Sequence, residues 1–147
     1  MIANFFVKLQ GFWLNLATSL DNFMESLAPN IFVKNINETI AFYQTLGFEV
    51  IMSVPEEGDF VWVMMTCGKV TFMFQTFESL ADELPAIHRH DGGSLLFYIQ
   101  VKEISIFFER IKDKVTVLKG LEKTFYGATE FSIQDNNGYV LTFAEDE

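Results

Sequence analysis

The fold is decided by residues 32–49, which read FVKNINETIAFYQTLGFE. A short apolar strand ends at Val33. Asn35 follows as a helix N-cap, because its side-chain oxygen can accept hydrogen bonds from the N–H groups of the first helical turn. Apolar residues then recur at helical spacing until Gly47, which favours a helix stop. A second strand begins at Phe48, so this stretch predicts a strand, a helix and a strand in close succession.

The same order of elements occurs twice along the chain. At an offset of 68 residues Val33 meets Val101 and Ile36 meets Ile104. Each half predicts one strand, one helix and three further strands. In the first half the remaining strands are predicted at 48–53, 60–66 and 70–76. In the second half a strand at 94–101 and a helix at 102–114 precede strands at 115–118, within 124–133 and at 139–144. A repeated unit of this kind usually cannot close its core alone. We therefore predict an α+β fold in which two βαβββ modules form a curved, eight-stranded mixed sheet with its helices on the outer side.

The domain layout follows from this repeat. We predict a single domain over residues 28–147, composed of module one (28–77), a polar linker with one helical turn (78–93) and module two (94–147). Residues 1–27 carry apolar side chains at steps of three and four, which predicts an extra N-terminal amphipathic helix. Polar residues interrupt its apolar run, so it is not a transmembrane span, and it lacks the basic start of a signal peptide. It either packs on the body or a partner, or is an extension upstream of a domain that starts near Met24.

The composition of the chain excludes some classes of binding partner. The chain has 147 residues and a formal net charge of −10. Such an acidic chain repels phosphate backbones and anionic lipid, so we expect no nucleic acid and no membrane partner. The acidity either attracts a cationic ligand or simply keeps the protein soluble. Cys67 is the single cysteine, which excludes an intrachain disulfide and a cysteine-based zinc site and predicts a cytoplasmic location.

Alternation along the strands separates the two faces of the predicted sheet, because successive side chains point to opposite sides. One face is wholly apolar and is predicted to lie under the helices: Ile31, Val33, Phe72, Phe74, Leu95, Phe97, Ile99, Val101, Leu141 and Phe143. The other face mixes aromatic, amide and hydroxyl side chains, which is typical of a small-molecule pocket. The alternative is that this face is partly solvated and is covered by a second subunit. The candidate ligand-binding residues on this face are Phe32, Trp62, Met73, Gln75, Tyr98 and Gln100.

Two motifs resemble a known family. Residues 32–49 resemble the opening, and residues 131–141 (FSIQDNNGYVL) the closing hairpin, of the glyoxalase / bleomycin resistance protein / extradiol dioxygenase (vicinal oxygen chelate) superfamily. The family's proline in the second motif is Asn136 here. The resemblance implies paired modules that curve into a cup, usually completed in a homodimer.

The resemblance also locates the family's metal ligands. In its metalloenzymes, four strand positions inside the cup offer His, Gln or Glu to a divalent metal that chelates two substrate oxygens. Counting from the motifs, these positions are Ala28, Gln75, Leu96 and Thr142, of which only Gln75 is a suitable ligand. His88 and His90 in the linker lack an evident third ligand. We therefore expect no metal, no other cofactor and no catalytic residue.

Three functions follow as hypotheses. The leading one is a metal-free protein that resembles the bleomycin resistance proteins and binds a small, possibly cationic or aromatic, molecule in the cup at a dimer cleft. The second is a metal-dependent lyase, isomerase or dioxygenase of the same superfamily with an atypical metal site. The third is an interaction protein whose cup is filled by the N-terminal helix.

Overall fold

The chain forms an α+β fold with the predicted order of elements. The structure is a computed structural model that describes residues 27–80, 92 and 95–146. Most of the predicted N-terminal helix, together with His88 and His90, lies outside these residues. The elements in chain order are β1 (Asn30–Val33), α1 (Ile36–Thr45), β2 (Glu49–Val54), β3 (Trp62–Cys67), β4 (Val70–Thr76), α2 (Phe77–Leu80), β5 (Leu96–Gln100), α3 (Ile104–Ile111), β6 (Thr116–Lys123), β7 (Ala128–Gln134) and β8 (Val140–Asp146).

The first helix begins and ends where the sequence predicts. The Asn35 side-chain oxygen accepts hydrogen bonds from the backbone N–H groups of Asn37 and Glu38, both at 3.1 Å. These bonds satisfy two donors that a helix N-terminus leaves free. Gly47 follows the helix with φ of +93°, in the left-handed region that glycine enters without strain.

The eight strands form two four-stranded sheets with the same topology. Their strand orders are β1-β4-β3-β2 and β5-β8-β7-β6. In each sheet the first strand runs parallel to the fourth, and the other neighbours are antiparallel. This arrangement confirms the predicted pair of βαβββ modules, with the eight strands in two four-stranded sheets instead of one continuous sheet.

The apolar faces of the two sheets share one core. Phe72 of module one and Phe97 of module two lie with ring centroids 5.0 Å apart. Within module two, Phe131 and Phe143 are also 5.0 Å apart, and both are buried. Nine of the ten residues predicted for this face are buried or packed against the core. The prediction was wrong for Leu95, which is 47% exposed because it precedes the first paired residue of β5.

A polar clamp joins the modules beside this core. The hydroxyl of Tyr43 on α1 donates to Asp135, in the turn between β7 and β8, at 2.9 Å. The same carboxylate accepts from the backbone N–H groups of Asn137 at 2.9 Å and Tyr139 at 2.8 Å. Desolvation by burial raises the pKa of Asp135 despite these three donors. The Asn137 side chain also donates to Thr39 on α1 at 3.0 Å.

Module two differs from the sequence prediction mainly in the residues at which its strands and its helix begin and end. Strand β6 extends to Lys123, well beyond the predicted end at 118, because register shifts near Lys119 break the period of two on which the prediction depended. Strand β7 begins only at Ala128, after a turn that Thr124 closes by a backbone bond of 2.8 Å to Ala128. Helix α3 is shorter than predicted, at Ile104–Ile111.

Candidate ligand-binding site

We use the term cup face for the side of each sheet on which aromatic, amide and hydroxyl side chains are mixed. The cup face of module one carries four of the six predicted site residues. Gln75 on β4 lies opposite Phe32 on β1 and Trp62 on β3, so the three form one row across the sheet. Met73 lies one pleat along β4 on the same face. The side of β3 that faces the core is occupied by Val63 and Met65, both fully buried. Trp62 therefore belongs to the cup face, which the sequence alone left open.

Contacts along this row hold the amide in place. The Asn30 side-chain amide donates to the Gln75 side-chain oxygen at 2.9 Å. The Phe32 ring stacks on Phe77 of α2 with centroids 6.2 Å apart. The row is thus a partly exposed surface of aromatic and thioether groups with one fixed amide pair.

The cup face of module two carries the other two predicted residues. Tyr98 on β5 lies opposite Thr142 on β8, which in turn lies opposite Ser132 on β7. The Ser132 and Thr142 hydroxyls are 2.9 Å apart and bond each other. Gln100 is exposed at the end of β5, where it also borders a cavity between the modules.

A carboxylate held by two phenols dominates this second face. The Tyr98 hydroxyl donates a short hydrogen bond to Glu130 on β7, and the Tyr126 hydroxyl donates to the same oxygen at 2.7 Å. We call this group the Tyr98–Glu130–Tyr126 cluster. Glu130 is only 8% exposed, because the two tyrosines cover it, whereas Tyr98 and Tyr126 are 49% and 58% exposed. Sequence reasoning did not place Glu130 or Tyr126 in the site, since the register of β7 was unknown.

The cluster keeps its negative charge on Glu130. The hydrogen bond from Tyr98 lowers the pKa of the Glu130 carboxyl, with smaller effects from Tyr126 and the nearby Lys119. The same bond raises the pKa of Tyr98 to about 12. At neutral pH the cluster is therefore one carboxylate with two neutral phenols that donate to it.

The two cup faces belong to separate sheets of the chain. Residues of both sheets contribute to the shared core, and helices α1 and α3 each contact strands of their own module. The side-chain contacts of Gln75 and Phe32 stay within module one, and the hydroxyl bond of Tyr98 stays within module two. Four of the six predicted residues thus lie on the first sheet, and Tyr98 and Gln100 lie on the second.

The residues at the family's metal positions do not fit a metal ion. Ala28 and Leu96 have no donor atom, the Gln75 oxygen already accepts from Asn30, and the Thr142 hydroxyl bonds Ser132 in a buried position. Within residues 27–80, 92 and 95–146, no group of three or more His, Cys, Asp or Glu side chains comes together. Divalent metals in proteins need several oxygen, nitrogen or sulfur donors at once.

Comparison with solved structures places the fold among known proteins. A glyoxalase/bleomycin resistance protein/dioxygenase family enzyme from Burkholderia phytofirmans is 22% identical with a TM-score of 0.68, over 84% of this chain and 100% of that one. A bleomycin-binding protein complexed with bleomycin is 17% identical with a TM-score of 0.58, over 84% and 100%. The bleomycin resistance determinant encoded on the transposon Tn5 is 18% identical with a TM-score of 0.61, over 84% and 99%. These likenesses show a common fold.

Sequence comparison gives the family. No curated protein sequence matches the chain significantly. Among the described residues, no helix is long and apolar enough to cross a membrane. The model of the Glyoxalase/Bleomycin resistance protein/Dioxygenase superfamily matches residues 20–143. The chain therefore belongs to the Glyoxalase/Bleomycin resistance protein/Dioxygenase superfamily.

Proposed function

We propose that this protein binds a flat, cationic small molecule between the cup face of module one and the cup face of module two. The observation that carries the proposal is the Tyr98–Glu130–Tyr126 cluster, an ionised carboxylate beneath two exposed tyrosine rings. A cation over an aromatic face is attracted by about 0.5–2 kcal/mol, depending on how well the site excludes water. The cluster supplies two such faces around a fixed negative charge.

Hydrogen bonding to Glu130 strengthens the tyrosine rings as cation acceptors. A phenol that donates to a carboxylate gains electron density in its ring, and so its face becomes more negative. Glu130 itself is covered, so we assign it the role of a positioning residue that orients the rings and adds its charge. Tyr98 and Tyr126 are the residues that contact the ligand.

The other half of the site comes from a second copy of the chain. Module one contributes Phe32, Trp62 and Met73, a surface suited to stacking a flat ring. Because the two cup faces lie on separate sheets, a homodimer in which module one of one chain meets module two of its partner would complete the site. The similarity to two bleomycin-binding or bleomycin-resistance structures supports small-molecule binding as the role of this fold.

The cluster favours binding over proton-transfer chemistry. A general base works best when its pKa lies near the working pH. The pKa of Glu130 moves in the opposite direction, below its usual value, so the carboxylate is a weak base. Together with the poor fit of Ala28, Leu96 and Thr142 to a metal, this supports a ligand-binding protein.

The test compares a flat cation with a neutral ring system of the same size. Proflavine and acridine are titrated against the purified protein by fluorescence, at a pH where acridine is uncharged. We expect saturable proflavine binding that exceeds acridine binding by about tenfold or more, in keeping with ~1–2 kcal/mol for the charge.

Variants locate the binding. Tyr98→Ala removes one ring and should weaken proflavine binding about tenfold. Ile106→Ala changes a side chain that is 66% exposed on α3, away from the cup face, and should leave the binding unchanged. Equal binding of the two dyes, or equal loss in the two variants, would refute a cation site on this face.

A further inference from the structure

The cavity that Gln100 borders lies between the modules, and neither Tyr98 nor Tyr126 lines it. It has a volume of about 730 Å³ and separates the turn joining β3 to β4 from the segment that joins β5 to α3. This volume lies within the ~300–1,000 Å³ range of small-molecule sites. The proposed cation site does not involve it.

The walls of this cavity are apolar and come from both modules. Leu46 and Phe48 contribute from module one, and Ile99, Phe107 and Phe143 contribute from module two. All five belong to the hydrophobic core or pack against it. The interior thus suits a hydrocarbon chain.

The rim of the cavity carries an unusual concentration of positive charge. Lys69, Lys102 and Arg110 all line it, although the whole chain has only ten lysines and arginines against twenty acidic residues. In the part of the chain that the structure describes, the ion pairs involve other lysines, Lys112 with Glu109 and Lys119 with Glu122. The lining contains one acidic residue, Glu103.

The N-terminus of α3 is already occupied beside this rim. The Glu145 carboxylate accepts from the backbone N–H of Glu103 at 2.7 Å and from that of Ile104 at 3.1 Å. An anion at the cavity would therefore be bound by the three cationic side chains rather than by the helix end. Arginine and lysine bind carboxylates through charge-assisted hydrogen bonds.

We propose that this cavity binds an amphipathic carboxylate, with its alkyl chain between the apolar walls and its head group at Lys69, Lys102 and Arg110. An apolar wall alone would suit many occupants. The three cations form no ion pair with the described residues and favour an anionic occupant, in a protein whose net charge of −10 repels anions elsewhere on its surface.

Cys67 makes the proposal directly measurable. It is the single cysteine of the chain, it is partly buried, and it lines the cavity. The rate at which N-ethylmaleimide, a neutral reagent, modifies Cys67 in the full chain is followed by mass spectrometry. Decanoate, kept below its micelle concentration, is the probe, and decyltrimethylammonium is its cationic counterpart. At ~10 times its Kd, decanoate should slow the modification about tenfold, since only the empty cavity exposes the thiol.

Charge variants distinguish binding of decanoate at the rim from a general effect of surface charge. The triple variant Lys69→Gln, Lys102→Gln, Arg110→Gln should lose the protection by decanoate. The matched variant Lys112→Gln, Lys114→Gln, Lys123→Gln removes three charges outside the lining and should keep it.

Four outcomes would overturn the proposal. Decanoate fails to protect the thiol, decyltrimethylammonium protects it equally well, or both triple variants respond alike. The fourth is a thiol that is unreactive without any probe and becomes reactive when residues 2–26 are deleted or when the protein is diluted. That result would mean that the N-terminal segment or a second copy fills the cavity.

Discussion

At the scale of single residues, the site depends on which side of a strand each side chain lies. The sequence predicted the cup-face positions of Gln75, Met73 and Tyr98 because β4 and β5 keep a clean alternation. The sequence did not assign Glu130 to either face, because the first residue of β7 could not be predicted from the turn that precedes it. The carboxylate of the candidate site was thus located only when the pairing of Glu130 with Ala144 fixed the face of the sheet on which Glu130 lies.

The bond between Glu130 and Tyr98 makes a prediction about titration. Glu130→Gln removes the carboxylate, so the pKa of Tyr98 should fall from about 12 toward its ordinary value of 10.0. The measurement is an alkaline titration of tyrosinate absorbance, with Tyr98→Phe identifying the Tyr98 step. An unchanged titration in Glu130→Gln would show that the bond does not form.

The two pKa shifts determine how the contribution of the cluster to folding stability changes with pH. The raised pKa of Tyr98 contributes stability that is present below pH 10.0 and is lost as pH rises through about 12. The lowered pKa of Glu130 contributes stability that is present above pH 4.5 and is lost as pH falls through the folded-state pKa. The cluster is therefore intact throughout the neutral range in which the ligand is proposed to bind.

At the scale of elements, the closing motif has a structural role that its sequence does not reveal. Residues 131–141 end one module, but Asp135 within them binds Tyr43 on the helix of the other. Tyr43 of the opening motif and the turn of the closing hairpin thus form one buried contact. Sequence patterns show that both motifs exist, whereas contact between residues 92 positions apart requires the fold.

Removing this contact should weaken the whole domain. Tyr43→Phe keeps the ring in the core but deprives a buried carboxylate of one of its three donors. We expect a loss of about 1–3 kcal/mol in the free energy of unfolding, measured in urea. Tyr126→Phe also loses one hydroxyl bond but at an exposed position, and it should change stability by no more than about 0.5 kcal/mol. Equal effects of the two variants would contradict the role of the clamp.

At the scale of the whole molecule, the sequence predicted the duplicated fold but not how the modules face each other. An internal repeat determines the order of elements within each module. The relative placement of the modules is set by particular core contacts, such as Phe72 with Phe97, that no periodicity encodes. The proposal that a second chain completes the site therefore depends on this placement and not on the repeat.

The most direct test of this account is a complementation of two defective variants. Trp62→Ala with Met73→Ala disables the module one face, and Tyr98→Ala disables the module two face. Each variant alone should form a folded dimer, verified by circular dichroism and sedimentation, that binds proflavine poorly. The heterodimer of the two, isolated through different tags, contains one intact cup. It should bind one proflavine per dimer with wild-type affinity. A heterodimer that binds no better than its parents, or a wild-type protein that binds proflavine as a monomer, would contradict a site shared between two chains.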